Sequence, residues 1–265
     1  MFARIRNNVK DSGAGKQAMV FAHGFGCDQN MWRFVTPAFL DRYRIVLFDH
    51  VGAGRSNTVG YDPLAYASLD RYAKDLVEIY DELDLSDSIF VGHSVSAMIG
   101  ILAALKRPKQ FQKLVLIGPS PCYVNQVDYF GGFEPEVMDS MLSYLDENYF
   151  AWAHAMAPTV MGNLDRPELG AELSDSFCRA DPVIARQFAR ITFLSDNRAD
   201  LSRLRIPTLI LQCSNDPIAP DPVGLFVHQN VAGSRFVKLQ ATGHCPNMSA
   251  PGETIAAIDA FLLMS

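Results

Sequence analysis

Short apolar runs alternate with amphipathic stretches along this 265-residue chain, and that alternation restricts the fold more than any other feature. The run at 19–22 stops at His23-Gly24, the run at 44–48 at Asp49, that at 88–91 at Gly92, and that at 113–117 at Gly118. Two more, at 208–211 and 235–239, end near Cys213 and before Gly243. Apolar residues, mostly β-branched or aromatic and closed by Gly or Asp, read as strands of a sheet covered on both faces. Between them, Leu69, Tyr72, Ala73, Leu76, Ile79, Tyr80 and Leu83 follow i, i+3, i+4 spacing, which predicts a helix over 69–83. Residues 96–105, stopped by Pro108, and 254–263 predict two more. Strands alternating with helices mean a mostly parallel α/β sheet.

One interval breaks the rhythm. Residues 118–207 contain no convincing strand, yet Glu134-Pro135-Glu136 and Asp181-Pro182 are helix starts, with Pro suited to the first helical position. Met138, Met141, Trp152, Met156 and Met161 make the interval rich in Met and aromatic residues. It reads as a helical insertion over the sheet, although the same residues would suit an ordinary helical core. The length therefore describes one domain over 1–265 carrying an insertion, and not two domains.

Composition narrows the function classes. With 49% apolar and 20% charged residues the chain can bury a core and is not disordered. A net charge of −6 argues against nucleic acid as a partner, since that needs a positive field. The longest apolar stretch, 97–105, is too short to span a membrane, and residues 1–20 lack the apolar segment of a signal peptide. Cys27, Cys122, Cys178, Cys213 and Cys245 are odd in number, widely spaced and free of any C-x-x-C. Neither a disulfide scaffold nor structural zinc is expected, and a cytoplasmic location is.

The strongest local motif is Gly92-His93-Ser94-Val95-Ser96, where a strand runs directly into a helix through a serine. That is the context of a nucleophile elbow, whose neighbours must be small so that strand and helix can approach. Ser96 departs from the Gly of G-x-S-x-G. The plainer alternative makes Ser94 an ordinary N-cap. A serine nucleophile needs a base and an orienting carboxylate, in chain order Ser, acid, His. His244 lies in a loop past the last strand, whereas His228 falls in a helical stretch. Asp216 follows the preceding strand, and its competitor Asp221 begins the next helix as a cap. The expected triad is therefore Ser94, Asp216 and His244. The oxyanion would rest on the amide of Val95 and that of Phe25, in the loop His23-Gly24-Phe25-Gly26. Gly52-Ala53-Gly54-Arg55-Ser56-Asn57 is not a dinucleotide fingerprint, there is no phosphate-binding loop, and no metal spacing occurs, so no cofactor or metal is expected.

Taken together, these residues resemble the α/β-hydrolase superfamily, and within it the clade of RsbQ-type bacterial stress-response regulators and the plant karrikin and strigolactone receptors. The resemblance is carried by residues 23–26 with Asp28, Gln29 and Trp32, by Asp49 with Gly52-Ala53-Gly54, and by 90–100. It continues through 120–125, Asp128-Tyr129, 131–134, Ser195-Asp196 and Gly243-His244. It implies an eight-stranded, mostly parallel sheet with helices on both faces and a four-helix lid over 119–202. It also implies an apolar pocket lined by Phe25, Val95, Phe133, Trp152 and Phe193, with His93 and Ser96 near the rim. The function expected is a serine esterase or lactonase acting on a small hydrophobic ester or lactone. The alternative is a ligand sensor that docks a protein partner, in the RsbQ-like case a regulatory phosphatase.

Overall fold

In the computed structural model, which describes residues 1–263, the apolar runs pair into one sheet. Its strands are β1 (Lys10–Ser12), β2 (Ala18–Ala22), β3 (Arg44–Phe48), β4 (Ser88–His93), β5 (Phe111–Ile117), β6 (Thr208–Asn215) and β7 (Arg235–Thr242). The spatial order is β1-β3-β2-β4-β5-β6-β7. Strands β2 to β7 are parallel, and β1 pairs antiparallel with β3. The expected eight strands thus come to seven among the described residues. Strand β1 carries no apolar residue and is wholly exposed, so it leaves no hydrophobic signal. Polar residues there also suit an edge that must not recruit another strand.

Successive side chains of a strand point to opposite faces. Val20, Phe90, Leu114 and Ile210 accordingly join one core cluster, with the helices Leu69–Glu82 and Val95–Lys106. Met19, Phe21, Val91, Val115 and Leu211 join the other. The Leu69–Glu82 helix turns Leu69, Tyr72, Ala73, Leu76, Ile79 and Tyr80 inward, as its spacing predicts. Each large apolar side chain so buried contributes about 1.5–3 kcal/mol.

Four long helices fill the strandless interval, Pro135–Glu147, Tyr149–Met161, Pro167–Arg179 and Pro182–Phe193, followed by the short helix Arg198–Leu201. Three begin with proline, and the Asp181 carboxylate accepts from the Val183 and Ile184 amides at 2.9 and 3.2 Å. Asn148, which gave no signal in the sequence reading, caps the second through the Ala151 amide. Met138, Leu142, Trp152, Met161 and Phe177 from these helices belong to the same cluster as the second sheet face. Most of the Met and aromatic residues of the interval are therefore core.

The sheet order places the chemistry. Strand β2 has β3 on one side and β4 on the other, so the direction of winding reverses between β2 and β4. Doubly wound sheets open a crevice at the carboxyl ends of such a pair. Here those ends are the His23-Gly24-Phe25 loop and Ser94.

Candidate active site

Ser94 is the single residue between β4 and the Val95–Lys106 helix. Its φ of 57° with ψ of −124° is a conformation that costs about 1–3 kcal/mol for a residue with a side chain. Gly92 makes the tight turn possible, because a Cβ there would stand 2.6 Å from the Ser96 carbonyl oxygen. The Ser94 amide donates to the Ile117 carbonyl at 2.8 Å, which ties the turn to β5. The serine hydroxyl makes no N-capping bond. It meets His244 instead, with Nε2 at 2.8 Å from Oγ.

The other side of the same ring lies against Asp216, Nδ1 to Oδ2 at 2.7 Å. Asp216 Oδ1 accepts from the Ile218 and Ala219 amides at 2.8 and 3.0 Å, so the carboxylate cannot rotate away. With Nδ1–H donating to Asp216, Nε2 is free to accept the Ser94 proton. All three side chains are buried. Asp216 follows β6 and His244 follows β7, so three strand ends bring the row together. His228 is elsewhere, bonded to Ser234 at 2.8 Å, and Asp221 pairs with Lys238.

The His244 loop is held from two directions. His93 Nε2–H donates to the His244 carbonyl at 2.8 Å. Burial lowers the His93 pKa to about 3, so the ring is neutral. Its Nδ1 faces Gly24, where a Cβ would stand 2.5 Å away. On the other side the His244 amide donates to the Val160 carbonyl at 2.8 Å, in the last turn of the Tyr149–Met161 helix. Asn163 Nδ2 bridges the Met161 and Thr242 carbonyls at 2.9 and 3.0 Å.

Among the described residues, neither the Phe25 amide nor the Val95 amide donates to a protein acceptor. Val95 is the first residue of its helix, where the backbone dipole favours negative charge. The Phe25 ring packs against Trp152, Phe177, Phe188 and Phe193, with centroids 5.8–6.1 Å away.

A cavity borders Ser94 and His244. Phe25, Trp152, Phe193 and His93 line it; Phe133 and Ser96 do not. Phe133 packs its ring against the second core cluster from a loop bridged to Val124, and Ser96 lies fully buried beneath the turn. Val95 contributes no wall either, its side chain being buried in the core. The rest of the wall, including Leu173, Phe177 and Thr192 from the helices and Ile218 from the loop after β6, carries no motif, while Tyr123 falls in the 120–125 stretch and Met156 in the Met-rich interval without either being marked as wall. The space open to the centre of a water-sized sphere is about 30 Å³, room for two or three waters. Three buried polar atoms of wall residues, Tyr123 Oη, Trp152 Nε1 and Thr192 Oγ1, have no hydrogen-bond partner. Burial pushes the Tyr123 phenol up, against the neighbouring Ser94 hydroxyl, which lowers it.

No group of three or more His, Cys, Asp or Glu among the described residues could hold a metal ion. No helix among them is long and apolar enough to cross a membrane. The five cysteines are free thiols, and burial pushes that of Cys27 up to about 12.

This geometry has known counterparts. Residues 19–258 match the model of the alpha/beta hydrolase family. The chain belongs to the α/β-hydrolase family. It is 39% identical over 254 residues to karrikin insensitive 2 receptor CA of Petunia hybrida, covering 95% of this chain and 94% of that one. It is 40% identical over 247 residues to strigolactone esterase D14 of Arabidopsis thaliana, covering 93% and 92%. Among solved structures, a hydrolase from Oleispira antarctica superposes with a TM-score of 0.96 at 39% identity, covering 99% of this chain and 97% of that one. Within the α/β-hydrolases the chain thus sits on the branch that holds the karrikin and strigolactone receptors.

Proposed function

We propose that the protein is a serine hydrolase that cleaves a small hydrophobic ester or lactone through an acyl-enzyme. The observation that carries this reading is His244 bridging Asp216 and Ser94 at 2.7 and 2.8 Å beside an apolar cavity. His244 takes the Ser94 proton as Oγ attacks the carbonyl carbon. The oxyanion forms against the Phe25 and Val95 amides. Asp216 stabilises the imidazolium, which then protonates the leaving alcohol. Water, activated by the same ring, cleaves the acyl-enzyme and frees Ser94. The four helices over 135–193 act as the lid, choosing ligands by shape. The acidic balance and free thiols support work in a reducing compartment without nucleic acid.

A second reading is favoured by one observation, the tightness of the cavity. At about 30 Å³ it admits no ester without movement of its walls. A pocket that must open and reclose suits a sensor that turns over slowly and presents its lid to a protein partner, such as a regulatory phosphatase. Relatives named as receptors support this alternative.

Steady-state hydrolysis of p-nitrophenyl acetate and butyrate tests both. Sustained turnover that Ser94→Ala reduces at least ~10³-fold supports the hydrolase. A burst of one equivalent followed by near-arrest supports the sensor. Undiminished turnover by Ser94→Ala overturns the assignment of the nucleophile.

A further inference from the structure

We propose that Ser96 and His50 are positioning residues that aim the Phe25 amide at the oxyanion. This rests on the serine-hydrolase reading of Ser94. The starting point is Ser96, the residue that departs from the usual glycine of the elbow. Its side chain is buried and doubly bonded. Oγ lies 2.5 Å from the His23 carbonyl and 2.7 Å from His50 Nε2. The His50 amide in turn donates to His23 Nε2 at 3.0 Å, and His23 Nδ1 lies 2.8 Å from the Gly24 carbonyl.

Each proton in this chain has one possible place. His23 Nε2 accepts from an amide, so the ring proton is on Nδ1 and goes to the Gly24 oxygen. The His23 carbonyl brings no proton, so the Ser96 hydroxyl must donate to it. His50 Nε2 must then carry the proton that Ser96 Oγ accepts. That leaves His50 Nδ1 bare, and it has no partner; aromatic contacts from Phe48, Tyr72 and Phe188 surround the ring. Burial holds both His23 and His50 neutral, as the arrangement requires.

The consequence falls on one peptide group. The Gly24 carbonyl and the Phe25 amide belong to the same trans plane and point in opposite directions. Gripping the Gly24 oxygen through His23 therefore sets where the Phe25 N–H aims. Ser96 holds the carbonyl of His23 itself, and His50 holds both Ser96 and the His23 ring. The chain links the helix that begins at Val95 to the loop that carries Phe25, so the two donors keep one spacing. A glycine at 96 would supply no such link.

The test compares Ser96→Ala, His50→Phe and His50→Gln in the full-length protein. His50→Phe keeps a ring but loses the Nε2 donor; His50→Gln returns a donor at similar reach. Ser96→Ala and His50→Phe should each lower kcat for p-nitrophenyl butyrate about tenfold or more with KM within twofold, since one oriented donor is in question. Both should weaken phenylboronic acid, whose adduct on Ser94 is tetrahedral, by a similar factor. The double variant should be no worse than the poorer single one, because both break one chain. His50→Gln should recover most of kcat. An unchanged kcat in folded Ser96→Ala, or a rise in KM with kcat intact, overturns the proposal. If Ser96→Ala does not fold, equal kcat for His50→Phe and His50→Gln overturns it. Turnover that survives Ser94→Ala defeats the hydrolase reading instead, a separate result.

Discussion

The absent side chain of Gly92 is aimed at the backbone of Ser96: a Cβ on the glycine would stand 2.6 Å from the serine carbonyl oxygen. Strand and helix touch there backbone to backbone, and that contact lets Ser94 occupy its left-handed conformation. Gly92→Ala should therefore cost about 1–3 kcal/mol of stability and remove ester turnover with it. Urea denaturation followed by circular dichroism reads the first effect. A variant as stable as the parent would show that the turn can relax.

Asp216 accepts two amides and the His244 ring, so its charge faces only donors. Asp216→Asn should preserve much of this geometry while failing to stabilise the imidazolium. Turnover of p-nitrophenyl butyrate should fall roughly 10³–10⁴-fold. A loss below tenfold would exclude Asp216 from the row.

Stability should decline on mild acidification. Burial lowers the pKa of His93 to about 3, and those of His23 and His50 also lie below the ordinary value. The unfolded chain gains protons on these rings once the pH falls below about 6.5, whereas the native state does not. The stabilisation is complete above that pH and is lost progressively towards 3. For His93 alone the loss between pH 7 and pH 5 is about 2 kcal/mol. Denaturant midpoints at the two pH values measure it, and equal midpoints would contradict the burial of neutral imidazoles.

The Thr192 hydroxyl is buried and unpartnered on the cavity wall. Replacing it with a methyl group removes an unsatisfied polar atom, so Thr192→Val should raise the stability of the ligand-free protein by about 1 kcal/mol. The readout is the melting temperature without ligand. No increase would mean that the hydroxyl has a partner in solution.

Much of this was legible in the sequence, and the reasons are physical. A sheet buried on both faces forces apolar runs, so the five inner strands announced themselves, while the mostly exposed edge strand β7 showed only through Phe236, Val237 and the buried Leu239. Strand β1 did not, because an exposed edge of Lys10, Asp11 and Ser12 buries nothing. The serine, aspartate and histidine were legible because strand ends impose their order. The cavity wall was not. Leu173 and Thr192 meet only through the packing of helices whose own spacing says nothing of which residue faces Ser94, and Tyr123 reaches it from the loop after β5. Phe133, expected on the wall, lies instead in the loop bonded to Tyr123 and Asn125, whose course no local pattern gives. Ser96 was noticed as a departure, but its partner His50 lies 46 residues away, and no local pattern joins them.

The His244 loop shares its hydrogen bonds with the helix above it. Val160 takes its amide, Asn163 clasps the strand that precedes it, and Arg166 reaches the Ser249 carbonyl at 2.7 Å. Gly243 lies so close that a Cβ would stand 1.9 Å from the Met161 carbonyl oxygen. The stretch that carries His244 is thus cross-tied to the helix end above the cavity by three hydrogen bonds, so a substitution that shifted Val160, Asn163 or Arg166 would be felt at the ring.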